Sequence, residues 1–162
     1  MEDVVIKTYE PTYRLKPYDE KKFSPSAVRA VCEEIVNATL QGKSWNGDEE
    51  AVWSVDMTEQ IKAKVVAMDF ARYKIVVQIV LGQNKNQGVR VASRCLWDTE
   101  TDNYASYTFS NDAMWCTAMV FGCCTYFISC IFVSVFQYNT ISNPSLSLFY
   151  SISFPLFFVD TE

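Results

Sequence analysis

An α+β fold, with two helices packed on a four-stranded antiparallel sheet, follows from two observations on the sequence. Apolar residues recur with a helical period between Ser24 and Met68, and with a period of two from Tyr73 onward. The period changes only once, so the helices precede the strands. Runs segregated in this way pack as helices on one face of an antiparallel sheet.

The first helix is expected to start at Ser24-Pro25, with serine as N-cap and proline at the first helical position. Val28, Val31, Cys32, Ile35, Val36 and Thr39 then follow the i, i+3, i+4, i+7 rhythm of one buried face. Gly42 supplies the stop, and Gly42–Asp48 is polar enough to be a connecting loop. A second helix is expected after Asp48, where Asp48, Glu49 and Glu50 favour the positive end of the helix dipole. Its stripe is Trp53, Met57, Ile61, Val65 and Met68, and packing into a core is the expected use of that stripe. Asn37-Ala38-Thr39 fits a glycosylation sequon, but its place inside a helix makes the match accidental.

Four strands are expected next. Tyr73–Leu81 has Tyr73, Ile75, Val77, Ile79 and Leu81 on one face and a mixed set on the other. The polar stretch Gly82–Gly88 separates it from Val89–Trp97, in which Arg90 and Arg94 alternate with Val91, Ser93 and Cys95. That connection is long for a hairpin. Asp98–Asp102 is the next loop, followed by strands at Tyr104–Phe109 and Ala113–Phe121. This gives three segments: an extended N-terminal arm over 1–23, holding Pro11 and Pro17, a domain over 24–124, and an apolar tail over 125–162.

The length, 162 residues, fits one domain, and 49% hydrophobic against 20% charged residues is enough for a packed core. Histidine is absent, which excludes Ser-His-Asp and Cys-His hydrolases, His-ligated zinc and imidazole proton shuttles. A net charge of −5 argues against a nucleic-acid partner, since phosphate binding draws on Lys and Arg. The 6 cysteines form no CxxC pair, so no metal site is expected. The N-terminus MEDVVIKTYE is acidic and lacks an apolar run, so a cytoplasmic, reducing location with buried thiols is expected.

Candidate chemistry is sparse. Asp98, Glu100 and Asp102 lack the spacing of a calcium loop and read as a solvated turn. No phosphate-cradling glycine motif occurs, and no cofactor is expected. Cys95 beside Arg94 has no second activating group, so a strand-buried structural thiol is the better reading than a reactive one. Nothing assembles a nucleophile, a base and an oxyanion site, so no enzyme is expected.

Ala92-Ser93-Arg94-Cys95-Leu96-Trp97-Asp98, Thr101-Asp102-Asn103, Phe109-Ser110-Asn111-Asp112 and Val120-Phe121-Gly122 follow one another in an order that resembles the Tctex-type dynein light chains. Upstream, Thr12-Tyr13-Arg14-Leu15-Lys16-Pro17, Phe23-Ser24-Pro25 and Phe70-Ala71-Arg72-Tyr73-Lys74-Ile75-Val76-Val77-Gln78 resemble the Tctex1-domain-containing branch. The likeness runs over residues 12–124 and is greatest to the branch found in the dynein of retrograde intraflagellar transport in cilia. The resemblance implies a non-catalytic protein with this α+β fold that dimerises by exchanging its second strand, with itself or with a related light chain. It also implies that an extended segment of the dynein intermediate chain adds beside the exchanged strand. Here that strand is Val89, Arg90, Val91, Ala92, Ser93, Arg94, Cys95, Leu96 and Trp97, with Gly82–Gly88 as hinge.

The tail departs from the family pattern. The only charged residues after Asp112 are Asp160 and Glu162. Three readings stay open: a membrane anchor over Cys116–Phe136, which is about 20 residues and long enough to cross a bilayer; an added docking segment; or a translated intron. The last rests on Ser145–Phe158, rich in the Ser, Leu, Phe and Pro of pyrimidine-rich codons. A tail-anchored membrane adaptor is the alternative function.

Overall fold

The computed structural model describes residues 21–124 except 71 and 86, together with the backbone of residues 129–138. The expected N-terminal arm, apart from its last three residues, and the Ser145–Phe158 stretch lie outside the described residues. The elements run α1 (Pro25–Leu40), α2 (Glu50–Ala67), β1 (Lys74–Gln83), β2 (Gly88–Leu96), β3 (Asn103–Ser110), β4 (Met114–Cys123) and β5 (Ser129–Tyr138). The two expected helices and all four expected strands form in the expected order, and every strand pairing is antiparallel.

Ser24 is the N-cap of α1 and Pro25 opens the helix, with the Val28 N–H donating to the Ser24 carbonyl at 3.1 Å. The buried face is the expected one except at its end, where Leu40 is buried in place of Thr39. Leu40 lies one turn beyond Val36, so it extends the apolar column. Gly42 takes a left-handed φ of 76°, which turns the chain out of the helix. α2 buries Trp53, Met57, Ile61 and Val65, with Met68 packed beside them. Each such aliphatic side chain, fully buried, stabilises the fold by about 1.5–3 kcal/mol.

Three strands form the sheet behind these helices, in the order β1-β4-β3. Ile75 and Val120 face the helices from neighbouring strands, and Met114, Cys116 and Ala118 complete the central strand's contribution. Phe23, read from the sequence as part of the arm, belongs to this core instead. It is 5% exposed and packs against Phe70 and Tyr73 with ring centroids 5.4 and 6.2 Å away. One large apolar ring flanked by polar residues carries no periodic signal, which is why the arm reading extended too far.

The β1–β2 connection is shorter than expected. Gly82 and Gln83 stay in the ladder opposite Trp115 and Met114, so β1 runs on to Gln83 and β2 starts at Gly88. β4 also runs on to Cys123, hydrogen-bonded to β1 on one side and β3 on the other. This overturns the anchor reading of Cys116–Phe136, because the first part of that run is the central strand of the sheet. No helix among the described residues is long and apolar enough to cross a membrane.

β2 pairs with neither β1, β3 nor β4. It lies in a separate two-stranded ladder with β5, from Gly88 opposite Tyr138 to Leu96 opposite Ser129, with a register shift between Arg94 and Leu96.

Candidate functional site

β2 is held at both ends and crosses the sheet between them without pairing to it. At its start, the Asn84 N–H donates to the Ala113 carbonyl at 2.9 Å and the Asn84 side-chain amide to the Asn111 carbonyl at 3.1 Å. The Gln87 side-chain amide reaches back to the Gln83 carbonyl at 2.6 Å. These contacts close the turn onto the β3–β4 hairpin.

The other end is fixed by Asp102. This side chain was expected in a solvated turn with Asp98 and Glu100, but only those two are exposed, and Asp102 is 5% exposed. Its carboxylate accepts from the Cys124 N–H at 2.7 Å, the Asp98 N–H at 3.1 Å and the Thr101 hydroxyl at 3.2 Å. The Tyr73 hydroxyl donates to the Thr101 carbonyl at 2.7 Å. A buried carboxylate with three donors ties the β2–β3 loop to the residue that follows β4. Its Asp-x-x-x-Asp spacing also suits an exposed turn, so the burial has no signal in the sequence.

Between these anchors, β2 lies over the face of the sheet away from the helices. Val91, Cys95 and Trp97 pack on Val76, Met119 and Phe121. Trp97 follows the end of β2 and forms a ring cluster with Tyr104 and Phe121, each pair of centroids 6.2 Å apart. Farther along, β2 and the sheet part to leave a cleft of about 610 Å³. Val89, Val91, Ala92 and Ser93 border it from β2, and hydroxyl residues such as Ser106, Thr108 and Thr117 line its floor. Trp115 also lines it, and its buried Nε1 donor has no hydrogen-bond acceptor among the described residues.

Arg90 and Arg94 are exposed, as is Ser93. Neither arginine makes an ion pair among the described residues. Alternation therefore divides β2 as the sequence suggested, with Val91 and Cys95 toward the sheet and the two arginines toward solvent. The Leu96 backbone ends the strand. The site thus consists of a backbone ladder, an apolar footing at one end and two exposed arginines.

The thiols are placed for packing. Burial pushes the Cys95 thiol up from its ordinary value, which lowers its thiolate fraction at neutral pH. Cys123 is pushed up to about 12, by burial first and then by the Asp102 carboxylate. Asn37 of the apparent sequon sits in α1 and accepts the Tyr107 hydroxyl at 3.1 Å, an internal role for that amide.

The sequence model of the Tctex-1 family matches residues 22–123, a span that covers both helices and β1–β4 and stops before β5. The human protein Dynein light chain Tctex-type protein 2B is 38% identical over 117 residues, covering 72% of this chain and 82% of that protein. Its zebrafish (Danio rerio) namesake is 36% identical over 110 residues, covering 68% and 73%. Dynein light chain Tctex-type 5-B of Xenopus laevis is 34% identical over 113 residues, covering 70% and 63%.

Proposed function

This chain belongs to the Tctex-1 family, and from that premise we propose that it is a non-catalytic dynein light chain whose working surface is β2. In this reading β2 pairs through its backbone with an extended segment of a dynein intermediate chain and with a second light chain, either another copy or a related one. The setting is microtubule-based movement in the cytoplasm and cilium, with retrograde intraflagellar transport as the specific process.

One observation carries the reading: β2 is a full-length strand that leaves the helix-backed sheet of its own chain. The sheet meanwhile keeps β1 and β3 as edges with no further strand beside them among the described residues. A strand that lies outside the helix-backed sheet and a sheet with open edges are complementary halves of an exchange between protomers. Strand addition then takes affinity from main-chain hydrogen bonds and register from alternate side chains. Arg90 and Arg94, exposed and unpaired among the described residues, suit an acidic partner segment.

The test is capture of dynein intermediate-chain segments by the purified chain, with sedimentation to follow its oligomeric state. Ser93→Pro removes one N–H from the middle of β2 and should abolish capture while helical circular dichroism is unchanged. Undiminished capture by a folded Ser93→Pro variant would exclude pairing through this strand.

A further inference from the structure

We propose that β5 is a built-in competitor for β2: residues 129–138 occupy one backbone edge of β2 and hold it against strands from other chains. The inference rests on β2 being the pairing strand, as argued above, and adds a segment that lies beyond the family match, which ends at residue 123.

Three observations lead to it. The β2–β5 ladder covers the whole of β2, with Cα partners running from Gly88–Tyr138 to Leu96–Ser129. Among the described residues β5 is also the only strand paired with β2, so it supplies the neighbour that an exchanged protomer or a client segment would otherwise provide. Finally, Ser129–Tyr138 is uncharged, free of proline and rich in β-branched and aromatic residues, the composition that seeks an open edge.

Geometry gives the competitor its advantage. β4 ends at Cys123 and β5 begins at Ser129, so only a short connection joins them. A short tether puts β5 at a local concentration of order mM, and a strand arriving from solution must displace it. A strand has only two edges. With β5 on one, the chain retains a single β2 edge, whereas exchange and client addition together need both.

The experiment uses the full chain and does not depend on any dynein partner. Ala92 and Ser134 are Cα partners, and directly opposed residues have the spacing a disulfide needs. Ala92→Cys with Ser134→Cys should cross-link under mild oxidation within a monomer, as mapped by proteolysis, and Ala92→Cys with Gln137→Cys should not. No in-register cross-link, or equal yield from both pairs, overturns the proposal.

The second arm releases β5. Consecutive strand residues direct their N–H groups to opposite edges, so Val133→Pro with Ser134→Pro must delete a β2-facing donor. The probe is a synthetic copy of residues 129–138 carrying three added lysines. It should bind the proline variant about tenfold or more tightly than the native chain, with faster amide exchange across Gly88–Leu96 in the variant. Equal binding by both chains overturns the proposal, and if the variant fails to fold, the cross-link decides. An intermediate-chain segment captured equally by both forms would overturn the competitor role and leave the β2 reading intact. Capture of the probe but of no intermediate-chain segment would do the reverse.

Discussion

The ring of Phe23 lies directly on the backbone of Gly122. A Cβ added at Gly122 would overlap the ring's Cδ2, Cε2 and Cγ atoms. Gly122 sits in β4 opposite Ile75 of β1 on one side and Asn103 of β3 on the other, so the strand cannot withdraw without breaking two ladders. Phe23 is equally constrained, being packed between Phe70 and Tyr73. The contact explains on steric grounds why glycine stands at this strand position.

Gly122→Ala should therefore destabilise the fold by about 1–3 kcal/mol, the usual cost of overpacking. Chemical denaturation of Gly122→Ala, Phe23→Leu and the double variant checks the cause. The penalty of the alanine should shrink when Phe23 is shortened. Strictly additive effects would mean that the contact is not the source of the loss.

Tyr73→Phe should cost about 1–2 kcal/mol, because the buried Thr101 carbonyl loses the donor now 2.7 Å away. Asp102→Asn should cost about 1–3 kcal/mol, since one of the two oxygens serving Cys124, Asp98 and Thr101 becomes a donor facing donors. Urea midpoints at neutral pH measure both. A neutral Asp102→Asn variant would contradict the anchoring of β2 described above.

Stability should fall in alkali. Burial pushes the Cys32 thiol up from an ordinary 9.0 to about 11, and those of Cys116 and Cys123 to about 12. The unfolded chain releases these protons near pH 9 while the folded chain keeps them. Unfolding thus gains with rising pH: the stabilisation is complete below pH 9 and is lost as pH climbs through the folded values. Each thiol contributes a slope of at most about 1.4 kcal/mol per pH unit in that window. Denaturation at pH 8 and pH 10.5 should reveal the drop, and Cys116→Val should make it shallower. A flat profile would contradict the burial of these thiols.

Charge reversal at Arg90 and Arg94 should leave stability within about 0.5 kcal/mol, because both side chains are exposed. It should weaken binding of an acidic partner segment by about 0.5–2 kcal/mol in total, with the loss diminishing as salt is raised. Titration at two ionic strengths checks this, and a salt-independent loss would point instead to disruption of the strand.

Much of this molecule was legible before folding, because local periodicity needs no tertiary information. The 3.6-residue rhythm through Val28–Val36 and Trp53–Val65 and the alternation through Tyr73–Leu81 are each set by which face must leave water. The β2 residues were legible in the same way, down to Arg90 and Arg94 facing away from Val91 and Cys95. What only the tertiary structure decided is which neighbour each strand takes and which isolated residues are buried. Backbone N–H and C=O groups are the same at every residue, so nothing local in Val89–Trp97 distinguishes β5 from β1 or β3 as a partner. Phe23 became core and Asp102 became an anchor for a related reason: each is fixed by residues distant in sequence, Gly122 for the one and Cys124 for the other, which no window of neighbouring residues contains.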